Sequence, residues 1–227
     1  MPTVLDRHTV GLLLQARDVD DWGVCANEPP LPGAPGLPRA ISLVMRLDPV
    51  VVRGLRHGPT VDYQIEYRRV NAALDATAEA LVSVLRAHRH AAERVPATSD
   101  HADNGYHPFA HKTAATQAGL GWIGKTALFV SPTFGPAVRL ATVFTDLDLP
   151  PGEPVTEGRC GDCRACVDAC PAGCGRDVHW RAGMAREELF DAAACRHHMA
   201  TYPGVEAEIC GICIAACPYS LRAVGLL

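Results

Sequence analysis

Two short cysteine runs constrain this chain more than any other feature of it. The first is Cys160-x2-Cys163-x2-Cys166-x3-Cys170-Pro171, and the second is Cys210-x2-Cys213-x3-Cys217-Pro218. The first has the spacing of the bacterial four-cysteine pattern that carries [4Fe–4S] clusters, in which the fourth Cys ligates the other cluster of a pair. Two runs therefore predict two clusters, and two clusters move single electrons. The proline after each final Cys has no N–H to donate and redirects the chain past the last ligand. Together the runs supply seven thiols, one short of the eight that two cubes need. Cys195 or Cys174 can supply the eighth. The crossed ligation pattern groups Cys160, Cys163, Cys166 and Cys217 on one cluster, and Cys170, Cys195, Cys210 and Cys213 on the other. Cys174 follows Cys170 by only four residues, in a segment expected to leave the cluster, so Cys195 is the preferred eighth ligand. Structural zinc also uses C-x2-C pairs, but the x2-x2-x3 spacing and the two Cys-Pro endings favour clusters. Short C-x2-C spacings also disfavour a disulfide framework. Cys25 stands apart and reads as a small buried hydrophobe.

The remaining composition excludes more than it specifies. A chain of 227 residues makes one large domain or two modest ones. A Pro/Gly-rich stretch, Leu149–Arg159, separates the cysteine region from what precedes it, which predicts domains 1–150 and 151–227. Formal net charge is −4 and neither part is basic, so broad electrostatic binding to nucleic acid is not expected. A local basic patch remains around Arg86, His88, Arg89, His90 and Arg94. No stretch reaches the roughly 20 apolar residues that span a bilayer. The start MPTVLDRHTV does not read as a secretory signal. A cytoplasmic protein with no membrane partner is expected.

Periodicity places the elements upstream of the cysteines. Helix is expected over Val4–Arg17, an extended piece at Trp22–Cys25, and a loop over the five prolines of Glu28–Pro38. Ala40–Arg46 reads as a buried strand. Val61, Ile65, Val70, Leu74, Ala78, Leu81, Leu85 and His88 recur at helical spacing, so Thr60–His90 should be a long helix with that face inward. Glu93–Thr98 should be extended and Pro108–Gln117 a short helix. Ala127–Val130 and Val138–Phe144 read as a hairpin about Ser131–Pro136.

The segment Gly119-Leu-Gly121-Trp-Ile-Gly124-Lys125-Thr126 matches both the nucleotide P-loop and the dinucleotide fingerprint. Both motifs need a strand before and a helix after, so that the helix N-terminus faces the phosphates. Here the order is helix, then strand, and a nucleotide site is rejected. The glycines still allow close approach of the backbone to a ligand or to another segment. Just upstream lie His101, Asp103, His107 and His111, with His107 and His111 four apart and on one helical face. They read as an acid/base and cofactor-contacting edge of a pocket, as surface or pocket-wall histidines without a special role, or as a separate metal site, which lacks the Glu of a zinc-protease helix.

The run AGLGWIGKTALFVSPTFGPAVRLATVFTDLDL (Ala118–Leu149), followed by CGDCRACVDACPAGC and CGICIAACP, resembles the epoxyqueuosine reductase family and its shorter double-cluster relatives, with reductive dehalogenases as more distant kin. Ala40–Asn71 extends the resemblance upstream. It implies an α+β chain: a nitroreductase-like α/β first domain holding cobalamin, then a ferredoxin-like domain with two [4Fe–4S] clusters. It implies that Gly119, Leu120, Gly121, Trp122, Gly124 and Lys125 approach the corrin, which would lie base-off. The family places an acidic proton donor at a position that is Gly105 here, leaving Asp103, Tyr106 and His107 as substitutes. It implies an electron donor of ferredoxin or flavodoxin type and a small or nucleoside-like substrate. The departure at Gly105 and the end of the chain at Leu227 argue against tRNA as that substrate. The rival readings are an electron carrier without a second cofactor and a flavin-containing reductase.

Overall fold

The computed structural model describes residues 5–97, 109–205 and 209–227, and it shows a mixed α/β protein made of two compact units. The units interleave along the chain. One comprises Met1–Met45, Val70–Leu120 and Arg139–Pro154; the other comprises Arg46–Arg69, Gly121–Val138 and Val155–Leu227. A single cut at 150/151 therefore does not separate them. The linker composition marked where the cysteine region begins, but composition carries no record of which earlier segments pack with it.

The first unit is built on a four-stranded sheet in the order β1-β2-β6-β3. Its strands are β1 (Asp21–Ala26), β2 (Arg39–Arg46), β3 (Ala92–Val95) and β6 (Val138–Thr145). β1 pairs antiparallel with β2, Val24 opposite Ile41, and β3 pairs antiparallel with β6, Arg94 opposite Val143. β2 is buried along nearly its whole length rather than on alternate residues, as expected of a strand covered on both faces. Helix α1 (Arg7–Gln15) is capped by Asp6, whose carboxylate accepts from the Thr9 N–H at 2.8 Å. The helix α4 (His111–Gln117) packs on β1, and Cys25, Ala40, Val95, Phe109, Ala114, Ala118 and Phe144 form a shared core. Cys25 is a buried thiol there, and burial pushes it up to about 11.

The long helix forms as α3 (Val61–Ala87), and its residues from Val70 onward belong to the first unit. Val70, Leu74, Ala78, Leu81 and Leu85 are buried as the periodicity requires. The extremes of the expected face are not: Val61 is 55% exposed, Ile65 is 60% exposed, and His88 is exposed. In the turns before Val70, Tyr63, Gln64 and Glu66 are the buried positions. Glu66 is held there because its carboxylate accepts from the Asp48 N–H at 2.8 Å and pairs with Arg69 at 2.7 Å. Part of the basic patch is engaged: Arg94 pairs with Asp75 and Glu79, His90 lies against Asp146, and Arg86 donates to the Ala92 carbonyl.

The expected hairpin is corrected. Ser131 and Gly135 do make a tight antiparallel bridge, but the strands on either side of it part. β5 (Phe129–Val130) pairs with β4 (Trp122–Ile123) in a separate two-stranded sheet, while β6 enters the four-stranded one. Two β-favouring segments beside a turn pair only when tertiary packing leaves both edges to each other. The second unit adds α2 (Pro49–Gly54), a 3-10 turn at Leu55–His57, and five short helices: α5 (Ala165–Asp168), α6 (Arg186–Leu189), α7 (Ala192–Met199), α8 (Ile212–Ala216) and α9 (Pro218–Ala223). Its apolar core joins Trp122, Ile123, Ala127, Val130, Val155, Trp180 and Leu189. α8 packs on α2 and the 3-10 turn.

Candidate metal centre

All nine cysteines from Cys160 onward lie in the second unit, and all are unbridged. Their neighbours sort them into two sets. Burial, then the charges of Cys217, Cys160 and Cys163, push the Cys166 thiol up to about 11. Burial also raises Cys217; the Ser220 and Tyr219 N–H groups oppose this by donating to its sulfur, and Cys160 and Cys163 add to the rise. Cys217 is the N-cap of α9, where the first backbone N–H groups point at the sulfur and favour a thiolate. The first set is thus Cys160, Cys163, Cys166 and Cys217. Burial, then the charges of Cys170 and Cys210, raise Cys195. Cys213 is partly buried, and its thiol is raised by that burial and then by Cys166, Cys210, Cys195 and Cys170. The second set is Cys170, Cys195, Cys210 and Cys213, with Cys213 also adjoining Cys166.

Cys174 is drawn into the second set as well. It is 1% exposed, shares hydrogen bonds with Cys170 and Cys195, and is pushed up to about 12 by burial and then by Cys170. The structure therefore brings both candidates for the eighth ligand to the same place. Each set crowds thiols whose ionised forms repel one another, an arrangement that iron, which deprotonates its thiol ligands, reverses. Among the described residues no three His, Cys, Asp or Glu side chains converge as the ligands of a single metal ion do.

Donors to sulfur come from outside the two runs, and sequence reasoning missed most of them. The Trp122 Nε1–H donates to Cys160 Sγ at 3.2 Å, and the Thr126 hydroxyl donates to Cys166. Tyr202 donates to Cys210, and His198 Nε2 lies 3.0 Å from the Tyr202 hydroxyl. This route from His198 through Tyr202 has no sequence signal. The loop between Cys163 and Cys166 is tied down by Arg164, which pairs with Asp168 and Asp177, while Asp177 also accepts from Lys125 at 2.7 Å. Lys125 is only 4% exposed, and its bond to Asp177 is the main cause holding that carboxyl below its usual range.

The glycine-rich segment follows α4 and precedes β5, the reverse of a phosphate-binding order. Its glycines are required by the chain's own packing. A Cβ on Gly121 would sit 2.2 Å from the Val130 carbonyl oxygen, and one on Gly119, at φ +81°, would sit 2.7 Å from that of Glu153. Leu120 packs against the first unit's core, whereas Gly121, Trp122, Gly124 and Lys125 are buried in the second. His111 is engaged on both ring nitrogens, Nδ1 with Thr142 Oγ1 at 2.9 Å and Nε2 with the Pro96 carbonyl at 2.8 Å, so it ties α4 to the sheet. His101, Asp103, Tyr106 and His107 lie outside the described residues.

No protein-family model matches the chain. Curated sequences do. An epoxyqueuosine reductase of Bacillus anthracis is 39% identical over 62 residues, 27% of this chain and 16% of its own length. One from Gloeobacter violaceus is 32% identical over 129 residues, 51% of this chain and 37% of its own. A tetrachloroethene reductive dehalogenase of Sulfurospirillum multivorans is 31% identical over 118 residues, 47% of this chain and 23% of its own. This chain is a distant relative of both groups. It spans well under half the length of these curated relatives. Solved structures agree on the fold. A catabolic reductive dehalogenase superposes with TM-score 0.75 at 18% identity over 96% of this chain and 32% of that one. An epoxyqueuosine reductase from Streptococcus thermophilus gives 0.57 at 18% identity over 94% and 66%. The shared mixed α/β fold places the chain's two units within a fold that both groups of reductases use. No helix among the described residues is long and apolar enough to cross a membrane.

Proposed function

We propose that this chain is an iron–sulfur reductase. Its two [4Fe–4S] clusters are held by Cys160, Cys163, Cys166 and Cys217 and by Cys170, Cys195, Cys210 and Cys213. The observation that carries the reading is the grouping of these thiols into two sets that cross between the runs, Cys217 with Cys160, Cys163 and Cys166, and Cys170 with Cys195, Cys210, Cys213 and Cys174. Four thiolates around a cube are the donor set that [4Fe–4S] clusters take. Cys195 is preferred over Cys174 because it lies among the charges acting on Cys210's neighbour Cys213. Electrons enter at the first cluster, where Cys163 and its neighbours Gly161, Asp162 and Arg164 are exposed. A ferredoxin- or flavodoxin-type donor in the cytoplasm fits that surface turn. The second cluster, whose thiols are all less exposed than Cys163, passes the electrons on.

The acceptor in this proposal is cobalamin, which when bound supplies a strongly reducing cobalt centre. Its support is the relationship to reductive dehalogenases, one of them solved in a study of B12-dependent dehalogenation. The six residues first assigned to it, Gly119, Leu120, Gly121, Trp122, Gly124 and Lys125, do not fit a corrin face as a set: of the six only Gly119 is exposed. What this chain's own residues supply is electron storage, shielding of the buried thiols and fixed donors to sulfur. The substrate is proposed to be a small or nucleoside-like molecule reduced by two single-electron deliveries and a proton, with Asp103, Tyr106 and His107 as the candidate proton donors. One solved epoxyqueuosine reductase holds a tRNA stem loop.

Anaerobic reconstitution tests the reading. About eight irons per chain and [4Fe–4S] signals on reduction are expected; tightly bound zinc, or about four irons, would overturn it. The absorption spectrum after incubation with cobalamin or flavin then identifies the acceptor.

A further inference from the structure

The segment that mimics a phosphate loop has no phosphate role, yet its geometry is specific. Trp122 is 1% exposed, and its indole N–H, which can only donate, points at Cys160 Sγ from 3.2 Å. The ring is fixed by an edge contact with Tyr219, centroids 5.1 Å apart at 75°. Two residues on, a Cβ at Gly124 would stand 3.7 Å from the same sulfur, ordinary contact, and press to 3.0 Å on Val130 Cγ2, so the segment runs alongside the ligand and glycine spares Val130. Lys125 anchors the segment to Asp177 at 2.7 Å, and Asp177 is bound in turn by Arg164, inside the first cysteine run. Thr126, buried at the end of the segment, opposes the rise of the Cys166 thiol.

We propose that Gly121–Thr126 is a tuning cradle for the first cluster, in which Trp122 and Thr126 set its reduction potential by donating hydrogen bonds to two ligand sulfurs. The inference rests on the cluster reading of the cysteines given above. An added electron raises the negative charge on the ligand sulfurs, so a fixed N–H or O–H donor stabilises the reduced state more than the oxidised one and raises the potential. Trp122→Phe deletes the donor while keeping a ring against Tyr219, and Thr126→Val deletes the second donor at nearly constant shape.

The test is an anaerobic redox titration of the reconstituted full chain, read by electron paramagnetic resonance beside an iron count. Trp122→Phe should retain all its iron and make one cluster up to about tenfold harder to reduce at a fixed poise, about 59 mV for one electron. The other cluster's midpoint should not move. Thr126→Val should shift the same cluster in the same direction, and Thr126→Ser should restore it. Full iron content with both midpoints unmoved in both variants overturns the proposal, as does an equal shift of both clusters. If Trp122→Phe does not fold, the Thr126→Val and Thr126→Ser pair decides alone. A wild-type chain that binds no clusters refutes the cluster reading itself, and the iron count separates that failure from the failure of the cradle.

Discussion

The two units of this protein are stabilised by different physics. In the first, buried aliphatic and aromatic side chains on a four-stranded sheet and a long helix do the work: Ile41, Leu43, Leu74, Leu81, Leu85 and Phe144 are all fully buried. In the second, from Val155 onward, each described helix has only four to eight residues. Helices that short are marginal on their own, and much of what surrounds them is thiol. The sheet unit holds itself together by removing apolar surface from water; the second unit has a smaller apolar core around Trp122 and Trp180, to which metal binding, on the proposed reading, would add folding energy.

Removing iron should break the comparison most dramatically. In chelated protein, amide protection across 155–205 and 209–227 should fall by about a hundredfold or more, while β2, β6 and α3 from Val70 onward keep theirs; retained protection in the cysteine region would show that its packing suffices. Single ligands come next. Cys166→Ser should drop the iron content from about eight to about four per chain. Cys195→Ser should do the same on the other cluster, and Cys174→Ser should keep all its iron; the reverse pattern between these two would make Cys174 the eighth ligand. The sheet unit should respond in the opposite currency: Leu81→Ala should cost about 2–5 kcal/mol in a denaturant melt with iron content unchanged. The smallest effect is expected at Asp177→Asn, which leaves the buried Lys125 ammonium without its counter-charge. It should raise the first cluster's midpoint, opposite in sign to Trp122→Phe and smaller, because Asp177 is partly exposed and screened.

Much of the first unit was legible because its signals are local. The 3.6-residue period predicted α3, the unbroken apolar run predicted β2, and the helix-then-strand order around Gly119–Thr126 was read correctly. The misses share one cause. Val61 and Ile65 were assigned inward by periodicity alone, yet Gln64 and Glu66 are buried instead, because Glu66 finds donors in Asp48 and Arg69. The failed hairpin between Phe129 and Val138 has the same origin: strand propensity was right and the choice of partner was not, since β5 found β4.

By itself the sequence determined which atoms can bind iron and, through C-x2-C and C-x3-C-Pro spacing, that they should divide across two clusters, because adjacent corners of a cube accept only short turns. It also determined where helix and strand begin, since both follow periods of a few residues. Only the tertiary structure decided which thiols face one another, that Cys174 and Cys195 stand at the same set, and that Trp122, 38 residues upstream of Cys160, donates to its sulfur. Spacing encodes contacts that close within a turn. Contacts made across distant segments depend on how the whole chain hides its apolar surface, and no short pattern records that.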